Sequence, residues 1–359
     1  MFKKIAEGDI YCARKDGLLA VGSRTAVLPD GKLIATFNTE SKIGINDFAP
    51  MVSYSEDGIH WTEGKFLWPD QIGKKSVYGS VRKTLDGRIC FAGVCTPITE
   101  PGEPYWSDEA GGMLENKLIF SISEDGYTFP DFTEVPLPLY GSAENPGGML
   151  VDTDGTIRII YAPYRTIEGK EDTDVCQIVM VTSHDGGKTF THSVFAQDQA
   201  PCQYGESWLV RLSEDCHMVS TWQTAIVEGA DRYFLSWDGA KTFDGPYIMP
   251  FNGQSTALEP WKDGKVFVVY NYRTVDPSGV YLCLAKPDKD GFHMIANEVV
   301  WTSQRKTYNG TSGEFTEWTD FAFGEPHITV LPDGNLLVCL WYDEGEKKGI
   351  RFVKLEIEA

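Results

Sequence analysis

Apolar residues in this chain come in short runs that break at a tight polar turn and resume at once. Six such stretches follow one another: SRTAVLPDGKLIATFN (Ser23–Asn38), GSVRKTLDGRICFAGV (Gly79–Val94), NPGGMLVDTDGTIRIIYAP (Asn145–Pro163), ESWLVRLSEDCHMVSTWQ (Glu206–Gln223), STALEPWKDGKVFVVYNYR (Ser255–Arg273) and EPHITVLPDGNLLVCLWYDE (Glu325–Glu344). Each reads as an apolar strand, an Asp-Gly-type turn and a β-branched, aromatic second strand, which is the pattern of a β-hairpin. The turn glycine stands at Gly31, Gly87, Gly155, Gly264 and Gly334, with Cys216 in its place in the fourth copy.

A second phrase is interleaved with the first: SEDGIHW (Ser55–Trp61), SEDGYTF (Ser123–Phe129), SHDGGKTF (Ser183–Phe190) and SWDGAKTF (Ser236–Phe243). Its Ser and Asp can hydrogen-bond the turn backbone, its Gly supplies a positive φ, and its aromatic packs between sheets. The phrase is therefore structural in expectation. Six hairpins, four of them followed by this phrase, predict six four-stranded units with no helical period between them. Reuse of one supersecondary unit in this way predicts an all-β, six-bladed β-propeller forming a single domain over 1–359. In the fifth unit KPDKDGF (Lys286–Phe292) holds the place of the phrase. In the sixth, GIRFVKLEI (Gly349–Ile357) is expected to pair with DIYCARK (Asp9–Lys15) and so close the ring.

Composition narrows the partners. Hydrophobic residues make up 42% and aromatics 13%, enough for a large core and too much for a disordered chain. A net charge of −20 argues against a nucleic-acid backbone or an anionic membrane surface and leaves a small ligand as the partner. No run approaches the roughly 18 apolar residues of a membrane span. The opening MFKKIAEGDIYCARKDG has no apolar stretch behind its lysines, so it does not read as a signal peptide. Eight cysteines form no CxxC pair and read as free thiols, which points to the cytoplasm. Six histidines without metal-ligand spacing, no phosphate loop and no GxSxG elbow predict neither metal nor cofactor.

The four Ser-x-Asp-Gly phrases in a six-blade frame resemble the Asp-boxes of the sialidase (neuraminidase) superfamily, with SHDGGKTF (Ser183–Phe190) the closest in form. The resemblance extends over the whole chain as repeat architecture. It implies that the boxes lie opposite an active face, which is built from the starts of the innermost strands, the ends of the second strands and the loops that follow. On that face Arg24 resembles the first arginine of the triad that grips the sugar carboxylate. Asp47 resembles the loop aspartate that acts as general acid/base, and Glu206 the glutamate that polarises the tyrosine nucleophile. Two departures stand out. Trp222 and Gln223 replace the second arginine, and Gly-Glu325-Pro-His327 replaces the segment holding the tyrosine. The chain therefore resembles the superfamily without the constellation of an authentic sialidase.

What remains is carboxylate chemistry. Glycoside hydrolysis needs one protonated carboxyl at the leaving oxygen and one ionised carboxylate at the anomeric carbon or its water. Glu206 and Glu325 stand at the same distance before the leucines that precede their hairpin turns, Leu212 and Leu331. Asp47 is the candidate acid/base, with Glu325 or Glu206 as nucleophile or base. Arg24, Arg165, Arg273, Trp222, Gln223, Glu259, His327 and Tyr342 are the candidates for holding a sugar. The segments Thr96–Lys117, with Tyr105 and Trp106, and Trp301–Glu325 read as rim loops. The expected activity is an exo-acting glycoside hydrolase on a small saccharide, acidic where Arg24, Arg165 and Arg273 converge. A non-catalytic carbohydrate- or protein-binding propeller, and a lyase of uronic-acid-type sugars, fit the same residues.

Overall fold

A computed structural model describes residues 1–358 apart from 14–16, 108, 145–147, 170–176, 198–203, 224–228, 274 and 306–320, and apart from the side chains of Gln197 and Gln223. Six antiparallel sheets follow one another along the chain as the blades of a propeller. Blade 1 comprises Leu19–Val27, Leu33–Glu40, Ala49–Ser55 and Lys65–Phe66; blade 2, Lys75–Lys83, Ile89–Pro97, Lys117–Ser123 and Thr133–Val135. In blade 3 the innermost strand is in two pieces, Ser142–Glu144 and Met149–Val151, both paired with Ile157–Tyr164; Gln177–Ser183 and Thr191–Gln197 complete it. Blade 4 is Tyr204–Arg211, His217–Gln223, Arg232–Ser236 and Asp244–Ile248; blade 5, Gln254–Trp261, Lys265–Tyr272, Gly279–Pro287 and Phe292–Thr302.

Blade 6 closes the ring. Its strands Phe323–Val330, Leu336–Asp343 and Lys348–Ile357 are completed by the N-terminal strand Phe2–Cys12. The pairing runs from Phe2↔Ile357 to Cys12↔Gly349, so it takes in Asp9–Cys12 of the DIYCARK segment, as expected, and extends beyond it towards the N-terminus. Apolar clusters fill every junction between neighbouring blades: blades 1 with 2, 2 with 3, 3 with 4, 4 through 6, and 6 with 1. Sheet faces buried on both sides explain why central strands such as Leu33–Glu40 have no exposed residue.

The Ser-x-Asp-Gly phrases are turns, as their chemistry predicts. In the third, Ser183 Oγ accepts the Gly187 N–H at 2.8 Å, and Asp185 Oδ1 accepts those of Lys188 and Thr189 at 3.0 and 2.9 Å. In the second and third copies the glycine whose N–H meets the serine, Gly126 and Gly187, also serves blade packing. A Cβ on Gly126 would stand 2.3 Å from Leu28 Cδ2 of the preceding blade, and one on Gly187 would stand 2.4 Å from Phe120 Cζ. Among the described cysteines Cys90, Cys95, Cys216, Cys283 and Cys339 are buried and unpaired and Cys12 is exposed; Cys176 and Cys202 lie outside the described residues. No described helix is long and apolar enough to cross a membrane.

Candidate active site

The innermost strands place side chains at the ring axis by a shared irregularity. In blade 4 pairing passes from Gly205↔Trp222 to Trp208↔Ser220, in blade 6 from Gly324↔Trp341 to His327↔Cys339, and in blade 1 from Val21↔Asn38 to Arg24↔Thr36. Each is a β-bulge whose first residue adopts left-handed backbone: Glu206 (φ 45), Glu325 (φ 45) and Gly22 (φ 63). Blade 5 does the same with Ser255 (φ 67). Glycine is the usual occupant of that conformation, and another residue costs roughly 1–2 kcal/mol. Two of these four positions nevertheless carry glutamate, which the bulge turns towards the axis.

Glu206 and Glu325 line a cavity of about 330 Å³, together with Glu40 from the end of the second strand of blade 1 and Glu144 from blade 3. Its walls are aromatic: Phe48, Tyr78, Tyr105, Trp106, Tyr164, Trp222, Phe321 and Trp341. Tyr105 and Trp106 belong to the long segment between the second and third strands of blade 2. That segment is pinned across the cavity by the bridges Ile45↔Pro104 to blade 1 and Met113↔Thr166 to blade 3.

The four glutamates differ in their surroundings. Burial, then the charge of Glu325, pushes Glu206 up to about 7, and hydrogen bonding from Ser255 and the charges of Arg24 and Arg273 oppose this. Its Oε2 has no hydrogen-bond partner. Glu144 is held well above the ordinary carboxylate range by burial and by the charge of Glu206, whose backbone N–H donates to Glu144 Oε2 at 2.6 Å. Glu40 is raised by burial against the 3.1 Å hydrogen bond from Gly44 N–H, with Asp47 and Glu325 adding like charge. Glu325 accepts on both oxygens, from Gly22 N–H at 2.9 Å and from the Tyr78 hydroxyl.

Beneath the cavity lies a second layer. Trp208 is contacted from four blades: Arg24 and Arg82 stand 5.3 and 5.4 Å from its ring centroid, His327 lies at 5.4 Å, and its indole N–H donates to Leu258 O at 2.9 Å. A side chain met from so many blades sits on the ring axis, so this layer floors the cavity. Arg24 donates to Ser23 O and to Glu325 O at 2.8 and 2.9 Å. His327 Nδ1 accepts the Thr25 N–H at 3.3 Å, and burial with the charges of Arg24 and Arg82 holds its imidazole well below the usual range. Glu259, pushed up to about 7 by burial and opposed by Arg82, does not line the cavity.

Of the residues singled out from the sequence, Glu206, Glu325, Trp222 and Arg273 thus come together in the cavity wall. Arg24, His327 and Glu259 do not line it. Asp47 stands outside the wall, its carboxylate accepting the Ser41 N–H at 3.1 Å. Arg165 is exposed, and Tyr342 packs under the Arg351 guanidinium at 4.3 Å. Arg24 and Arg273 both bear on Glu206, but Arg273 alone of the three arginines lines the cavity. The Gln223 side chain, Asn145 and most of the segment 301–325 lie outside the described residues. Arg273 is the one cation among the described lining residues. Its guanidinium is held by Gln254 Oε1 at 2.7 Å and by Phe323 O at 2.8 and 3.1 Å, and burial brings its pKa down to about 10. No cluster of three metal-ligating side chains occurs among the described residues. Tyr78, at a strand start on the expected active face, lines the cavity as well, and Glu40 and Glu144 are the cavity carboxyls that the sequence candidates lacked.

No family model matches the sequence, and neither does any curated protein. Among solved structures the chain is similar to a protein of unknown function from Dyadobacter fermentans, with a TM-score of 0.74, 19% identity and 99% of each chain covered. It is also similar to the Hadza microbial sialidase Hz136, with a TM-score of 0.64, 15% identity, and coverage of 94% of this chain and 65% of that one. A third is the α-L-arabinanase of Penicillium chrysogenum complexed with arabinobiose, with a TM-score of 0.62, 16% identity and 98% of each chain covered. At these identities the likeness shows the fold, a sialidase-like six-bladed propeller.

Proposed function

We propose that this protein is an exo-acting glycoside hydrolase in which Glu206 and Glu325 supply the paired carboxyl groups. The observation that carries the reading is their equivalent placement: both project from left-handed bulges into one floored, aromatic-walled cavity. Their surroundings divide the labour. Glu206, pushed up to about 7, holds a proton near neutrality and serves as the acid at the leaving oxygen. Glu325, accepting hydrogen bonds on both oxygens, serves as the carboxylate at the anomeric carbon or its water, with Tyr78 orienting it.

Aromatic faces suit the apolar faces of sugar rings, and the Trp208 layer limits the cavity to the end of a chain. An acidic sugar is disfavoured. Four glutamates face the cavity against one guanidinium, three of whose five N–H donors are engaged by Gln254 and Phe323. The neighbouring sialidase and arabinanase folds support a glycosidase without specifying its sugar.

The test is a panel of aryl glycosides, pentosides and hexosides included, with wild type, Glu206→Gln and Glu325→Gln. Wild type is expected to release aglycone from at least one, and each variant to lose about 10³-fold or more in kcat/KM while staying folded. Sugar binding with no product anywhere on the panel, or unimpaired turnover in both variants, would sink the assignment.

A further inference from the structure

We propose that Glu144 is a positioning residue for Glu206: it holds the blade-4 bulge in the left-handed conformation that turns the Glu206 carboxyl into the cavity. The inference rests on reading Glu206 as a catalytic carboxyl. At the bulge, pairing passes from Gly205↔Trp222 to Trp208↔Ser220, so Glu206 drops out of the ladder to the second strand. A backbone N–H taken out of a ladder and away from water needs another acceptor. Glu144 Oε2 supplies it at 2.6 Å, from the preceding blade. The blade-1 bulge is built the same way: Gly22 N–H donates at 2.9 Å to Glu325 Oε2, again from the blade before it in the ring. There the bulge residue is glycine, which adopts its φ of 63 freely. At Glu206 a φ of 45 strains a residue with a Cβ, so the acceptor decides whether the conformation is kept.

Glu144 is itself fixed from outside the blade-4 strand. It ends the short strand Ser142–Glu144, which pairs with the second strand of blade 3 at Glu144↔Ala162. From blade 2, Asn116 brackets the residue before it. Asn116 Nδ2 donates to Ala143 O at 2.9 Å, and Ala143 N–H donates to Asn116 Oδ1 at 2.8 Å. Ser142 Oγ donates to Leu114 O at 2.7 Å. Asn116, Ala143 and Ser142 are all buried. Three blades thus act in series: blade 2 fixes a strand end of blade 3, and that strand end fixes the bulge of blade 4. Glu325, Arg24 and Arg273 bear on the Glu206 carboxyl, whereas Glu144 grips its backbone. Such a grip matters most in the chemical step, where a displacement of about 1 Å can cost about 10²-fold in rate.

The experiment compares Glu144→Ala, Glu144→Gln and Asn116→Ala with wild type, by crystal structure and by steady-state kinetics on whichever aryl glycoside wild type turns over. Glu144→Ala is expected to release Glu206 from positive φ, and to lower kcat about 10²-fold with KM changed less than about threefold. Burial raises the Glu144 carboxyl above its ordinary range, so an uncharged amide whose oxygen still accepts the Glu206 N–H is its close mimic. Glu144→Gln should therefore keep Glu206 at positive φ and recover kcat to within about tenfold of wild type. Asn116→Ala, which does not touch Glu206, should lower kcat about tenfold and serves where Glu144→Ala fails to fold. A Glu144→Ala structure with Glu206 still at positive φ and its carboxyl in the cavity would overturn the proposal, whatever the kinetics. So would a Glu144→Gln protein as inactive as Glu206→Gln, since Glu144 would then act on the substrate itself. The two possible failures are distinct. Glu206 released in Glu144→Ala, with no glycoside turned over by wild type, leaves the grip standing and removes the hydrolase reading; wild-type turnover with Glu206 unmoved does the reverse.

Discussion

Glu206 and Glu325 share one backbone conformation, φ 45 at the first residue of a β-bulge, in blades that are separated by a third. At the matching bulge of blade 1 the chain has Gly22, the residue this conformation favours. The two glutamates therefore hold conformational strain that glycine would relieve. Such strain persists where the side chain is needed and the surrounding sheet over-determines the backbone.

Glu206→Gly should accordingly stabilise the fold while abolishing turnover. The substitution relieves roughly 1–2 kcal/mol of left-handed strain and removes a buried carboxyl with an unmet oxygen. Glu325→Gly should gain less or nothing, because it strips hydrogen bonds from Gly22 and Tyr78. Paired thermal melts and kcat/KM measurements check this. A Glu206→Gly protein that is both less stable and fully active would refute the strain argument and the catalytic one together.

Tyr78 has a second test in Gly22. Tyr78→Phe leaves a Glu325 oxygen without its donor, at a cost of about 1–3 kcal/mol, and should lower kcat about 10²-fold. A Cβ on Gly22 would stand 2.6 Å from the Tyr78 hydroxyl. Gly22→Ala should then reproduce the loss of kcat with the hydroxyl still present, because it displaces the hydroxyl from Glu325. Full activity in Gly22→Ala would mean that the Tyr78–Glu325 contact does not matter for turnover.

The blades were legible because hairpin chemistry is local: alternation, turn glycine and Ser-x-Asp-Gly phrase all lie within a few residues of one another. The cavity is not local. Glu40 lies two residues beyond Asn38, where the apolar alternation ends, and shares the cavity wall with Tyr105 of the blade-2 segment that bridges to blade 1 at Ile45↔Pro104. Glu144 precedes the strand start expected at Asn145, because the innermost strand of blade 3 begins in a separate piece. A usable signal did exist. Val21-Gly22-Ser23, Gly205-Glu206-Ser207 and Gly324-Glu325-Pro326 each open a hairpin at equal depth, and a bulge at that depth aims its first side chain inward. Asp47 carried a family resemblance but no such geometric reason, and its carboxylate turns to the Ser41 amide instead.

Glycines in the two kinds of turn should respond differently to alanine. A Cβ on Gly155 (φ 83) would meet nothing within 4 Å, so Gly155→Ala costs only the backbone term, about 1 kcal/mol. A Cβ on Gly126 (φ 76) would stand 2.3 Å from Leu28 Cδ2 and 3.0 Å from Ile89 Cγ1, so Gly126→Ala should cost about 1–3 kcal/mol more, as overpacking does. Neither should change kcat, since neither residue lines the cavity. Equal destabilisation by the two would show that the phrase's glycine serves the turn alone and not the junction between blades.

The buried carboxyls set an unusual pH dependence. Glu206 and Glu259 are each pushed up to about 7 by burial, from an ordinary 4.5. Between those values the folded chain keeps protons that the unfolded chain has lost, so stability falls as pH rises through the window and levels off above about 7. Glu40, Glu144 and Asp231, also raised by burial, act in the same direction. The turn aspartates Asp185 and Asp238 are lowered by hydrogen bonds from Thr189 and Thr242. Their contribution is present above about 3.8 and is lost as pH falls below it, outside this window. Thermal stability should therefore peak near pH 5 and decline towards pH 7, with Glu206→Gln and Glu259→Gln each removing part of the slope, on the order of 1–3 kcal/mol per group. If Glu206 is the acid, kcat/KM should also fall above about pH 7, and Glu259→Gln should leave that limb in place. Melting temperatures and kcat/KM measured from about pH 4.5 to 8.5 decide it: a melting temperature that rises steadily to about pH 8 would contradict the burial of these carboxyls as acids.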